Sequence, residues 1–247
     1  MTKAVLWCAV LFLVFIGVAA VTGRALFLDD FVTRANPLRE RFLSYMERDD
    51  PFASERVEEV RQFDRRFAAH PVMTLLHILP GGVFLILAPF QFSSRIRSRY
   101  IHLHRWSGRV LVLAGVSASV AGLYFGLLMP FGGTGEAIAI ALFGALFIVA
   151  ACRAVLAIRR GHVALHREWM IRAFAVALGI STVRAFDAAL DFTLTPSGFR
   201  SREIFVLAIW TGWLLTLGVA EGWIRHTRPS VDSGAEPLAF RGRVRGL

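Results

Sequence analysis

Residues 137–158 read AIAIALFGALFIVAACRAVLAI, an apolar stretch in which Arg153 is the only charged residue. An α-helix rises about 1.5 Å per residue, so about 20 residues cross a hydrocarbon core about 30 Å thick. The stretch is too long and too uniformly apolar for one side of a soluble domain. It therefore predicts a transmembrane helix.

Similar stretches recur along the chain. The 247 residues are 55% hydrophobic and 19% charged, against about 45–50% and about 25% in ordinary soluble domains. The further apolar stretches are residues 4–21, 72–92, 110–129, 173–192 and 204–223. We expect an all-α, polytopic membrane bundle of about six transmembrane helices, and a single soluble domain is excluded. The segment 93–109, the segment 159–172 and the sequence Pro80-Gly81-Gly82 are expected to interrupt the helices.

The first stretch allows two interpretations. Val18-Ala19-Ala20 resembles the small-residue site of a cleaved signal peptide, but the apolar run of 18 residues exceeds the about 7–15 of such signals. We expect an uncleaved transmembrane anchor over residues 1–23.

The charged segment 24–71 has a different pattern. Phenylalanine, leucine and valine recur among its charges, which predicts two amphipathic helices broken near Asp49-Asp50-Pro51 that lie on the membrane surface or cap the bundle. The remaining parts are a five-helix transmembrane domain over residues 72–224 and a disordered basic tail over residues 225–247.

The net charge of +10 comes from arginines beside the apolar stretches. They concentrate in residues 93–109, in residues 159–172 and in the tail. The positive-inside rule then predicts an inner-membrane protein with both termini cytoplasmic and with residues 24–71 outside. This placement predicts the lipid bilayer as partner and argues against nucleic acid, while the oligomeric state is left open.

Ionisable residues near the outer membrane face form the first candidate site. Its members are His77, Arg184, Asp187 and Asp191. The last three share one helix face, at spacings i, i+3 and i+7. A charge in lipid is costly, so this face is expected to point into the bundle. One interpretation is a ligand or proton site formed by His77 with Arg184, Asp187 and Asp191. A second is a structural ion pair between Arg184 and Asp187. A third is that Asp191 faces water.

A short repeat at the inner face forms the second candidate site. His104-Arg105-Trp106 is followed by Arg109, and His166-Arg167-Glu168-Trp169 by Arg172. Two facing imidazoles can ligate a haem iron axially, and arginine can neutralise propionates. The hypothesis is a haem b with His104 and His166 on the iron and with Arg109 and Arg172 on the propionates. The alternative is that these residues contact lipid headgroups.

The residues of this repeat, with His77 and Pro80-Gly81-Gly82, also carry a family resemblance. The region from about residue 70 to about residue 190 resembles the bacterial predicted membrane-protein family called domain of unknown function 2306, which implies a multi-pass membrane protein and no particular activity. More loosely, histidine near helix ends is similar to cytochrome b561-like and ferric-reductase-like membrane haem proteins. Those proteins hold two haems, whereas His70 and His77 here share one helix.

Common catalytic motifs are missing from the sequence. It contains no phosphate-binding loop, no HExxH, no Cys-x2-Cys and no Gly-x-Ser-x-Gly. The leading hypothesis is membrane electron transfer with a quinone or another redox partner. A non-enzymatic transporter or small-ligand-binding protein is the alternative, and a structural membrane protein is a third. The sequence does not decide whether the protein is an enzyme.

Overall fold

The computed structural model describes residues 3–26, 53–194 and 199–228, and the secondary structure of these residues is entirely helical. The helices are α1 (Lys3–Leu26), α2 (Ala53–Ala68), α3 (Pro71–Gln91), α4 (Ser94–Arg99), α5 (Ile101–Leu128), α6 (Thr134–Arg159), α7 (Val163–Leu194) and α8 (Ser201–His226). Within the described ranges, α1, α3, α5, α6, α7 and α8 are long and apolar enough to cross a membrane. The predicted all-α bundle of about six transmembrane helices is confirmed.

The helices extend beyond the apolar stretches. α5 begins at Ile101 rather than at residue 110, and α7 begins at Val163 rather than at residue 173. Interpreting the basic segments as loops was therefore wrong. Backbone hydrogen bonding does not depend on lipid, and arginine and leucine are good helix formers, so each helix extends beyond its apolar stretch.

Helix α3 is continuous through Pro80, so the predicted break at Pro80-Gly81-Gly82 was also wrong. Proline is tolerated in transmembrane helices because neighbouring groups satisfy the freed backbone atoms. Gly82 has a packing role instead. A Cβ atom at Gly82 would lie 2.9 Å from Cγ1 of Val21, so the glycine lets α1 approach α3.

Four of the helices enclose the core. α5 packs between α3 and α6, α6 packs on α7, and α7 contacts α3 to close the ring. α8 covers the outer side of α7, and α1 lies against α3 and α7. The core side chains include Phe84, Leu111, Phe143, Phe147 and Phe174. This ring has two ends, and all the candidate site residues lie towards one or the other.

Helix α2 lies across one end of the ring, which we call the cap end. Nη1 of Arg66 donates to the carbonyl of Met129 at 2.7 Å, and the rings of Phe67 and Phe125 are 4.6 Å apart. Arg202 on α8 forms an ion pair with Glu59 at 3.3 Å. Of the two predicted amphipathic helices, the second therefore caps the bundle, and the first falls largely outside the described residues.

Candidate functional site

The opposite end of the ring, which we call the basic end, holds both copies of the His-Arg repeat. His104 is the fourth residue of α5 and His166 is the fourth residue of α7. Their backbone N–H groups donate to the carbonyls of Tyr100 and His162, each at 3.0 Å, and so close the first helical turn. The repeat seen in the sequence is therefore also a repeat of local structure.

The imidazole of His166 has a fixed orientation. Its Nδ1 hydrogen-bonds the carbonyl oxygen of Ala154 on α6 at 2.9 Å. A carbonyl only accepts, so Nδ1 carries the hydrogen, and Nε2 is the nitrogen with a lone pair for a ligand. This is the arrangement in which a metal-ligating histidine is usually held by its second nitrogen.

His104 lies at the same end of the ring as His166, within the range of a Coulombic interaction between the two side chains. Its ring is half-buried, and its Nδ1 is buried without a hydrogen-bond partner in the described part of the chain. The neighbouring His102 and His162 are exposed. The structure thus places the two histidines that the repeat singled out at the same end of the ring and turns their sequence neighbours to the surface.

A polar contact fixes the end of α3 beside His104. Nε2 of Gln91 donates to Oγ of Ser107 at 2.7 Å, and Ser107 donates to the carbonyl of Leu103 at 2.6 Å. Nη1 of Arg97, on α4, donates to the carbonyl of Gln91 at 3.3 Å. The start of α5 is therefore tied to the end of α3, and α4 is tied to the same end of α3.

The two arginines of the repeat have unequal surroundings. Arg109 is exposed, with no hydrogen bond or ion pair among the residues that the structure describes. Arg172 donates through Nε and Nη2 to Glu221 on α8, at 2.5 and 3.0 Å. Its guanidinium also lies 3.8 Å from Glu168 and stacks on Trp169. Arg172 therefore joins α7 to α8.

Glu168 is the centre of an ion-pair network that sequence reasoning did not find. Arg228 binds it through two hydrogen bonds of 2.7 Å, and Arg167 donates to Thr227 at 2.8 Å. The hydrogen bonds and the charge of Glu168 raise the pKa of the Arg228 guanidinium above its ordinary value. The spacing of Glu168 and Arg172 signals a pair on one helix, but nothing in the sequence indicates a partner 60 residues away.

At the cap end, His77 is held in the same way as His166. Its Nδ1 hydrogen-bonds the carbonyl of Ala118 at 2.8 Å. A Cβ atom at Gly122 would lie 3.1 Å from Cε1 of His77, so glycine makes room for the ring. His77 interacts electrostatically with Arg24 and Arg184.

The predicted face of α7 lies beside this ring. Arg184 and Asp191 both interact electrostatically with Asp187. His77 on α3 therefore lies within the range of a Coulombic interaction with Arg184 on α7, and Asp187 and Asp191 follow Arg184 along α7.

Sequence reasoning also did not identify Glu136, near the cap end, as a buried structural group. Glu136 is 1% exposed, accepts from the N–H of Gly132 at 2.6 Å and contacts Arg66 at 3.4 Å. Tyr124 lies 3.3 Å from Nδ1 of His70. In the sequence Glu136 looks like an ordinary turn residue, because the cation that it contacts, Arg66, lies on α2 and is distant in the sequence.

No group of three or more histidine, cysteine, aspartate or glutamate side chains is placed to hold a metal ion within the described ranges. A haem needs only two axial side chains, so the His104–His166 pair is a different kind of site. Cys8 and Cys152 are free and exposed.

Comparison with known proteins identifies the family. The profile of a family described as predicted membrane protein (DUF2306) matches residues 74–224, which contain both copies of the His-Arg repeat and His77. No curated protein and no solved structure matches the chain. Since the match covers more than half of the 247 residues, the chain belongs to this family of predicted membrane proteins.

Proposed function

We propose that this membrane protein binds haem b through His104 and His166 and takes part in membrane electron transfer. The observation that supports the proposal most directly is the fixed ring of His166 at the same end of the bundle as His104. The hydrogen bond to Ala154 selects the tautomer whose Nε2 can face iron.

The residues at the basic end fit such a group in part. Two imidazoles from different helices are the donor set of a haem b site, and a haem so ligated would supply one-electron transfer. The exposed guanidinium of Arg109 can contact a propionate. Arg172 would have to share its guanidinium with Glu221 and Glu168. We propose a membrane quinone as the redox partner.

Purified protein tests the haem proposal. The protein would be made with added haem precursor, extracted in mild detergent and examined for a Soret band. His104→Ala and His166→Ala are expected to lose the band while eluting as folded protein. His102→Ala and His162→Ala are the matched controls, because both rings are exposed, and they should keep it. A colourless parent protein, or equal haem in all four variants, would refute the proposal.

We further propose a bacterial inner-membrane location with both termini in the cytoplasm. The support is the concentration of arginine at the basic end, in residues 93–109 and 159–172. A reporter fused after Leu247 should be active only in the cytoplasm. A reporter inserted near Asp49-Asp50 should be active only outside, and cytoplasmic activity there would reverse the topology.

A second candidate function uses the cap end as a ligand or proton site of a transporter or binding protein. It is favoured by the anchored ring of His77 beside Arg24 and Arg184, and by Asp187 and Asp191 on the same helix as Arg184. Proteoliposomes that contain a pH-sensitive dye would be placed under an imposed potential.

For proton movement, His77→Gln should slow the dye response, and His226→Gln, exposed at the basic end, should not. Equal responses would argue against a proton role for His77.

A further inference from the structure

Helix α1 contacts the ring through a glycine and exposes large apolar side chains towards its start. A Cβ atom at Gly17 would lie 2.5 Å from Oγ of Ser181 and 2.7 Å from Cδ1 of Leu85. Towards the start of the helix, Leu11 is 57% exposed and Trp7 is 38% exposed. Gly17 and Gly82 thus let α1 and α3 approach each other closely, and the side chains of Leu11 and Trp7 lie beyond these contacts, towards the start of α1.

A groove of about 420 Å³ lies between α1 and α3. Its lining is Trp7, Leu11, Val14, Ile86, Pro89, Phe90 and Ser93. The volume lies in the about 300–1,000 Å³ range of small-molecule sites, and the span from Trp7 to Val14 corresponds to about 10 Å of helix. Both helices are candidate membrane spans, so the groove opens towards lipid acyl chains.

Positive charge lies at the end of this apolar groove. Ser93 lines the groove and caps α4, whose six residues include three arginines. They are Arg95, Arg97 and Arg99. Lys3 begins α1, and no acidic residue occurs in the sequence between Asp64 and Glu136. An apolar groove that ends in uncompensated cations at the membrane surface matches a lipid with an anionic headgroup.

We propose that this groove binds an anionic phospholipid. One acyl chain lies between α1 and α3, and the phosphate contacts α4 and Lys3. Arg97 already binds the carbonyl of Gln91, so Arg95 and Arg99 are the main headgroup contacts on α4. A zwitterionic lipid would fill the same groove but would gain less from these cations, because its headgroup carries no net charge. This site is independent of the haem proposal.

The test compares lipid retention by the full-length protein. Protein in detergent would be mixed with equal amounts of phosphatidylglycerol and phosphatidylcholine, and bound lipid would be counted by native mass spectrometry. The parent protein should retain phosphatidylglycerol preferentially. Leu11→Trp fills the groove and should reduce that retention at least fivefold. Phe12→Trp, at the next exposed position of α1 and not in the lining, is its control and should not.

The headgroup contact has its own pair of variants. Arg95→Gln/Arg99→Gln should remove the preference for phosphatidylglycerol, whereas Arg159→Gln/Arg160→Gln, also exposed at the basic end, should keep it. These surface changes do not disturb the core, so they decide the proposal even if Leu11→Trp fails to fold. Equal loss in both arginine pairs, or no preference in the parent protein, would overturn it.

Discussion

The two copies of the His-Arg repeat begin their helices identically and then differ. In the α5 copy Trp106 is 69% exposed and Arg109 faces solvent. In the α7 copy Trp169 is half-buried between two arginines, Arg153 and Arg172. One residue separates the two patterns, because Glu168 is inserted before the tryptophan.

A single insertion turns everything that follows by about 100° around an α-helix. In the α5 copy the tryptophan follows the histidine by two positions and points to the opposite face. In the α7 copy it follows by three positions and returns to the histidine side. The inserted Glu168 also supplies the carboxylate that binds Arg172 and Arg228. The α7 copy is thus a fixed anchor for α8, and the α5 copy keeps its arginine available.

The largest expected difference between the copies is in their arginines. Arg172→Gln leaves Glu221 and part of Glu168 without their cation, so it should lower the free energy of unfolding by about 2 kcal/mol. This is below the about 3–5 kcal/mol of fully buried pairs because Glu221 is 37% exposed. Arg109→Gln should change it by less than about 0.5 kcal/mol. Unfolding in mixed micelles by titration with a denaturing detergent measures both.

A double-mutant cycle sharpens this comparison. Glu221→Gln combined with Arg172→Gln should cost less than the sum of the single changes, because the double change leaves neither charge uncompensated. Additive losses would mean that Arg172 and Glu221 do not interact, and the α7 copy would then be no anchor.

The histidines should differ by a smaller amount. His166→Ala removes the hydrogen bond to Ala154, which is worth about 1 kcal/mol, in addition to packing. His104→Ala removes a ring whose buried Nδ1 has no partner in the described part of the chain, so it should cost about 1 kcal/mol less than His166→Ala. The measurement is made on protein without haem. Equal losses of stability, or a greater loss for His104→Ala, would mean that the hydrogen bond of His166 to Ala154 does not distinguish the two copies.

Much of the fold was available from the sequence, because lipid imposes a simple rule on length and polarity. The six apolar stretches became six helices. The helix ends were less predictable, since hydropathy reports where lipid ends and not where hydrogen bonding ends. Residues 101–109 and 163–172 therefore looked like loops.

Some residues of the candidate sites could be predicted from the sequence and others could not. His104 and His166 could be selected because both lie in a repeated local pattern. The network of Glu168, Glu221 and Arg228 could not, because it joins residues that only the packing of α7 on α8 brings together. For the same reason Glu136 could not be paired with Arg66 before α2 was placed.

The smallest expected effect concerns Arg228, the outermost member of the α7 anchor. Its side chain is 56% exposed, and exposed ion pairs contribute little. Arg228→Gln should therefore cost less thermal stability than Arg172→Gln, and about 1 M salt should abolish the loss because charges are then screened within about 3 Å. Arg225→Gln, exposed at the same helix end, is the control.

The pKa of Arg228 is raised in the folded protein, so the stabilisation is complete below the pKa of the unfolded chain and is lost only as pH rises through the higher folded value. Both lie above the range of ordinary measurements, so Arg228 itself should add no pH dependence between about pH 6 and about pH 9. A loss that persists in high salt would mean that Arg228 acts through packing, and the distinction between an anchored and an open copy would then rest on Arg172 alone.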